Sequence, residues 1–112
     1  MSNYIWSIRL STQPESIIGV CALHHWDIEK NKIEIGGTLL PEYWGMDIMK
    51  KAFGYMIDFA FNELAVQTIV GRTSSKNLQA IKMVKKLGFQ TESTSYENEI
   101  LMTKTSNKNE SS

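Results

Sequence analysis

Between Ile33 and Leu64 the chain runs from an apolar strand-like stretch into Pro41-Glu42-Tyr43-Trp44-Gly45-Met46-Asp47 and then into a long helix-patterned segment. A strand that passes through a glycine turn into a helix N-terminus aims several backbone N–H groups at one point, so this unit suits a phosphate or another anion. Asp47 complicates that reading. Aspartate is a favoured residue at a helix start, worth about 1 kcal/mol over alanine, and a capping carboxylate takes the same amide hydrogens that a bound anion would use.

Other reactive side chains have plainer readings. His24 and His25 end a strand-like run and read as surface or loop-anchoring residues. Metal binding is not expected of them, because no cysteine or carboxylate cluster accompanies them in sequence. Cys21 reads as a small buried hydrophobe. Lys82, Lys85 and Lys86 read as a solvated helix face, with contact to a coenzyme phosphate as the alternative.

Composition bounds the setting. A chain of 112 residues with 42% apolar and 10% aromatic side chains supports one core and one small domain. Twelve basic against twelve acidic residues leave no electrostatic footprint for nucleic acid or an anionic membrane. The single cysteine excludes an internal disulfide, and the start MSNYIWSIRL lacks the layout of a secretory signal, so a cytoplasmic location is expected. The most apolar helix carries Lys50, Lys51, Asp58 and Glu63, which does not suit a membrane span.

The elements that must hold the turn follow from periodicity. Tyr4, Trp6, Ile8 and Leu10 alternate with their neighbours as a strand does, and residues 12–15 supply turn formers. Ile17 to His24 is nearly continuous in apolar residues, which predicts a strand buried on both faces. Ile33 to Leu40 is the third strand of a meander. Apolar residues at 49, 52, 53, 56, 57, 60, 61 and 64 form the stripe of a helix packed on a sheet. Thr68 to Thr73 then reads as a strand parallel to the third. Residues 74–77 are rich in capping residues, Leu78, Ile81, Val84 and Leu87 mark a second helix that ends at Gly88, and Phe89 to Thr94 and Glu99 to Thr105 read as a closing pair. Residues 1–105 are expected to form the domain, and residues 106–112 a polar, disordered tail.

With these elements in place, a resemblance is apparent. The stretch from Ile33 to Phe61, followed by Asn77-Leu78-Gln79-Ala80-Ile81-Lys82-Met83-Val84-Lys85-Lys86-Leu87-Gly88-Phe89, resembles the GNAT superfamily of acetyl-CoA-dependent N-acetyltransferases. The nearest branch looks like the ribosomal-protein N-acetyltransferases, whose pattern is roughly E-I-G-Y-x-L-x-P-E-Y-W-G-K-G and later N-x-x-S-x-x-x-L-x-K-L-G-F. The resemblance covers essentially the whole chain. It departs from the pattern in four places. Asp47 stands where the pattern has a glycine, Gly37 replaces the usual tyrosine, and Val84 sits where many relatives carry a tyrosine acid. The chain also starts at what would be the family's second strand, so the first strand and two helices are expected to be missing.

The resemblance implies an α/β (α+β) fold: a mixed sheet splayed open between the third and fourth strands, with two main helices. It implies that acetyl-CoA lies in that opening, its pantetheine paired with Thr38, Leu39 and Leu40. The diphosphate would rest on Trp44, Gly45, Met46, Asp47, Ile48 and Met49, with Asn77 near the pantetheine. Glu34 lies near where the family sometimes places a carboxylate that accepts the amine's proton; a solvent-facing strand residue is the plainer reading. The acceptor is then a primary amine, either a protein N-terminal α-amine or a small-molecule amine. At pH 7 about a tenth of a protein α-amine is neutral, against roughly one part in 2,500 of lysine, so weak base equipment favours α-amines. The other expectation is a degenerate, non-catalytic module that binds acyl-CoA or a protein. An open sheet edge at Tyr4 to Leu10 predicts pairing of two copies as a homodimer.

Overall fold

The computed structural model describes residues 3–106. Six strands and two α-helices alternate in the order β1 (Tyr4–Leu10), β2 (Gln13–Asp27), β3 (Lys32–Leu39), α1 (Ile48–Asp58), β4 (Thr68–Ser74), α2 (Leu78–Lys86), β5 (Gln90–Ser93) and β6 (Glu99–Thr105). They form one sheet in the order β1-β2-β3-β4-β6-β5. The β1-β2-β3 meander is antiparallel, the β3–β4 pairing is parallel, and β6 pairs antiparallel with both β4 and β5. The mixed α/β architecture expected from the sequence is therefore present. The tail, from residue 107 on, lies outside the described residues.

The core gathers Cys21 and Leu23 of β2, Ile33 and Ile35 of β3, Ile69 of β4, Val84 of α2, Met102 of β6, and Phe53, Met56 and Ile57 of α1. Leu23, Ile33, Met56 and Ile69 are fully buried. Each contributes about 1.5–3 kcal/mol relative to exposure. The apolar stripe predicted for the long helix is thus the face that packs on the sheet.

That helix does not stay regular. Its last turn, Phe59–Glu63, is π-helical, and the Leu64 amide donates to the Phe59 carbonyl at 3.1 Å. The wider turn brings Phe59 to the core beside Ala60 and Phe61, with its ring 5.3 Å from Tyr4 and 5.4 Å from Trp6. Alternation along β1 directs Tyr4, Trp6 and Ile8 to this same side.

Two strand expectations need correction. β2 is not buried on both faces: Cys21 and Leu23 are buried, but Ile17 and Val20 on the same strand are exposed. The apolar run reflects a half-bare sheet face rather than a second covering layer. The first turn also falls earlier, at Ser11 and Thr12, because Gln13 already pairs with Leu10. Register shifts on either side of Arg9 absorb the difference.

α2 ends as predicted. Gly88 takes φ +95, its amide donates to Lys85 at 3.0 Å, and the Phe89 amide reaches back to Val84 at 2.9 Å. This is the paired-bond termination that glycine permits.

Candidate functional site

β3 and β4 pair through only three residues each, Lys32, Ile33 and Glu34 with Thr68, Ile69 and Val70. Beyond this seam β3 continues to Leu39 bonded to β2, while β4 continues to Ser74 bonded to β6. The strands therefore part into a V, as the resemblance implied.

One edge of the V is the free side of β3. The Leu40 amide donates to the Ile18 carbonyl at 2.9 Å, so by alternation the backbone groups of Leu39 and Gly37 point away from β2 and into the opening. Thr38 carries the intervening register position, opposite Val20. The Leu39 carbonyl is already engaged: the Trp44 indole Nε1 donates to it at 2.7 Å. Gly37 sits where the family pattern has a tyrosine, and any side chain there would be tightly placed. A Cβ there would stand 3.1 Å from the Val20 carbonyl oxygen and 3.2 Å from the Met49 methyl.

The turn beyond β3 closes through a short 3-10 turn, Pro41–Tyr43, and then takes left-handed backbone twice. Gly45 has φ +80 and Asp47 has φ 59, ψ 14. Asp47 stands at the N-cap of α1, yet its carboxylate makes no bond to the helix start. This corrects the capping expectation: an N-cap normally holds extended backbone, and the left-handed form belongs to the glycine of the family pattern. The first donor bonded back to residue 47 is the Lys51 amide, at 3.1 Å to the Asp47 carbonyl. The amides of Ile48, Met49 and Lys50 thus precede the helical ladder and form the positive end of α1. Leu40, Trp44 and Met46 are exposed beside them.

Across the V, Asn77 caps α2. Its Oδ1 accepts from the Ala80 amide at 3.2 Å, and its Nδ2 donates to Thr73 Oγ1 at 3.4 Å. Both ends of its carboxamide are occupied by the protein, so a ligand would have to share Nδ2 with Thr73.

At the closed end of the V lies a cluster that sequence spacing did not reveal. Glu34 is not a free solvent-facing residue; its side chain is 22% exposed and three cations or potential cations surround it. Arg72 Nη1 donates to Oε1 at 3.2 Å, His25 Nδ1 lies 3.7 Å from Oε1, and His24 Nε2 lies 4.0 Å from Oε2. Cross-strand register explains His24, which pairs directly with Glu34. Arg72 reaches it from two positions beyond the last paired residue of β4. Consecutive strand residues ordinarily face opposite sides. Here the pairing of β2 with β3 slips after His24 and His25 takes φ 52, so the two imidazoles meet edge to face at 4.6 Å on the same side. The expectation that no carboxylate accompanies the histidines is therefore wrong in space, since Glu34 does. Gly36 leaves this face open: a Cβ there would meet only His24 Nε2, at 3.6 Å.

Among the described residues, no helix is long and apolar enough to cross a membrane.

Comparison with known proteins agrees with this geometry. Residues 1–90 match the acetyltransferase (GNAT) domain family. An uncharacterized N-acetyltransferase, p20, of Bacillus licheniformis is 30% identical over 80 residues, covering 71% of this chain and 45% of that protein. The chain thus spans less than half the length of this curated relative. Among solved structures, a variant of spermidine N-acetyltransferase SpeG from Vibrio cholerae superposes with a TM-score of 0.82 at 17% identity, covering 98% of this chain and 70% of that chain. The ribosomal-protein-S5-alanine acetyltransferase of Vibrio fischeri gives a TM-score of 0.76 at 25% identity, covering 82% and 56%.

Proposed function

The chain belongs to the GNAT acetyltransferase family, and from that premise we propose that it moves an acetyl group from acetyl-CoA to a primary amine. The observation that carries this reading is the V itself: a three-residue parallel seam that opens onto an unpaired β3 edge on one side and the free amides of α1 at its mouth. In this reading the edge of β3 at Thr38 and Leu39, with Leu40 beyond it, pairs with the pantetheine, through the backbone of Leu39 that faces the opening. The turn from Trp44 to Met49, Asp47 included, receives the diphosphate, and Asn77 lies along the opposite wall. Backbone donors aimed into the opening stabilise the charge that develops on the thioester oxygen.

Glu34 then accepts the proton of the attacking amine, directly or through water, as the amine nitrogen bonds to the acetyl carbon and the carbon–sulfur bond breaks, releasing coenzyme A as the thiolate, which takes a proton from solvent. Arg72 holds the carboxylate in place. The acceptor proposed is an α-amine, in keeping with the alanine-acetylating relative of Vibrio fischeri and with the larger neutral fraction of such amines at pH 7. A cytoplasmic homodimer, paired along the open edge of β1, completes the reading.

A second reading has its own observation. Trp44 occupies the Leu39 carbonyl and Asp47 adds an anion at the diphosphate turn, which favours a module that binds acyl-CoA weakly or serves only in protein contacts. Thermal melts with acetyl-CoA separate the two, since a ligand at 100 times its Kd stabilises by about 2.7 kcal/mol. A raised Tm, with acetylated product from an alanine-started peptide, supports the enzyme. No shift at millimolar ligand supports the module.

A further inference from the structure

We propose that His24, His25 and Glu34 form a binding site for a divalent transition metal of the zinc class. One ligand atom from each residue lies within 4.8 Å of the other two. A tetrahedral ion with bonds of about 2.0–2.1 Å separates its ligand atoms by roughly 3.4 Å. His25 Nδ1 lies 3.7 Å from Oε1 of Glu34 and His24 Nε2 lies 4.0 Å from Oε2, so the carboxylate offers one oxygen to each imidazole; the set, spread over at most 4.8 Å, contracts by up to about 1.4 Å on ligation. Two imidazoles and one carboxylate suit zinc and its neighbours in the transition series rather than magnesium or calcium, which prefer all-oxygen shells.

The backbone supplies an independent reason to regard the arrangement as built. A left-handed, non-glycine residue is costly, and such residues collect at functional sites. His25 adopts φ 52 within the slipped register of β2, and the result is that adjacent histidines face the same carboxylate. His25 is 72% exposed, so an ion has an entry path and room for water in the fourth position. Arg72 competes for Glu34 Oε1, the oxygen nearer His25, but its side chain is half exposed and free to withdraw into solvent, leaving both oxygens to the ion.

Metal binding stands apart from the acetyl-transfer reading. One consequence rests on that reading: an ion on Glu34 removes the proposed proton acceptor, so zinc inhibits. The test titrates the full chain, with any affinity tag removed, with zinc chloride by calorimetry and with cobalt chloride by visible absorption. The expected result is saturable one-to-one binding with tetrahedral cobalt bands. Losing an outer partner of a metal ligand typically costs 10–100-fold in affinity, so losing a ligand in His25→Ala or Glu34→Gln should cost at least about tenfold. Circular dichroism confirms that each variant is folded. Absence of saturation, or unchanged affinity in both variants, overturns the site. Zinc that binds as described without slowing acetylation leaves the site standing and removes Glu34 from the reaction.

Discussion

The indole of Trp44 is hydrogen-bonded at 2.7 Å to the carbonyl of Leu39, five residues back, across the edge of β3 that faces the opening. A pantetheine amide pairing with this edge would need the same oxygen. Trp44→Phe keeps an aromatic ring and removes the competing donor. A typical net hydrogen bond is worth about 0.5–1.5 kcal/mol. The variant should therefore bind acetyl-CoA roughly two- to tenfold more tightly by calorimetry. Weaker binding would mean that the indole itself contacts the coenzyme.

Asp47→Gly addresses the mouth of the V. An aspartate ~6 Å from one diphosphate charge is repelled by roughly 0.7 kcal/mol at the dielectric of water and about 2.8 at an effective value of 20. No capping bond is lost in the change, because the carboxylate makes none, and φ 59 suits glycine. Acetyl-CoA affinity should rise by about three- to hundredfold, with the gain shrinking in high salt. Fold stability should be nearly unchanged, the relief of backbone strain being offset by the greater freedom of an unfolded glycine. Equal dissociation constants in the two forms would place the diphosphate elsewhere.

Glu34→Gln tests the proton acceptor. Loss of a general base typically costs 10²- to 10⁴-fold in turnover. The deficit should narrow as pH approaches the pKa of the amine, where the acceptor loses its own proton. A pH–rate profile identical to that of the wild type would assign Glu34 to structure, as the partner that anchors Arg72.

Cys21 offers a pH dependence with a defined sign. The residue is 3% exposed, and burial raises its thiol pKa above the ordinary value of 9.0. The folded chain therefore keeps its proton where the unfolded chain has lost it. The associated stability is complete below the unfolded pKa and is lost as pH rises through the folded one. The urea midpoint should fall between about pH 8 and about pH 10, and fall less in Cys21→Ala. Ellman's reagent should label the native thiol slowly at neutral pH and rapidly after denaturation.

Assembly is checked at the open edge. Among the described residues β1 has a sheet partner only in β2, and Ile5 on it is 68% exposed. Light scattering at tens of micromolar should give the mass of two chains, and Ile5→Lys should return it to one. A monomeric wild-type mass would refute the pairing.

Sequence periodicity was enough to read what depends on neighbours along the chain. The α1 stripe, the capping-rich stretch before α2, of which Asn77 makes the cap, and the glycine stop at Gly88 are all local patterns, and each is present. What it missed depends on register. His24, His25 and Arg72 meet Glu34 only because of how β2, β3 and β4 are paired and where β2 slips. No spacing rule announces a left-handed histidine. The bare face of β2 escaped for a related reason, since an apolar run reads the same whether or not a layer covers it. Asp47 lay between: its position at the helix start was legible, but its unused carboxylate was not.

The seam of three residue pairs between β3 and β4 also bears on how the chain folds. Away from it the sheet holds two sets of near neighbours, the β1-β2-β3 meander and the β5–β6 hairpin, while β4 joins β6 across α2 and β5. Hairpins of this kind form in roughly 1–10 μs. Joining β3 to β4 requires closing a loop of about 36 residues, from Glu34 to Val70, before the few seam contacts compensate for the lost entropy. The β1-β2-β3 meander and the β5–β6 hairpin are thus the local units, and β4 joins both through long-range pairings. Docking of α1 across them is the late event, and amide exchange at Ile33 and Ile69 would report it more directly than exchange within either hairpin.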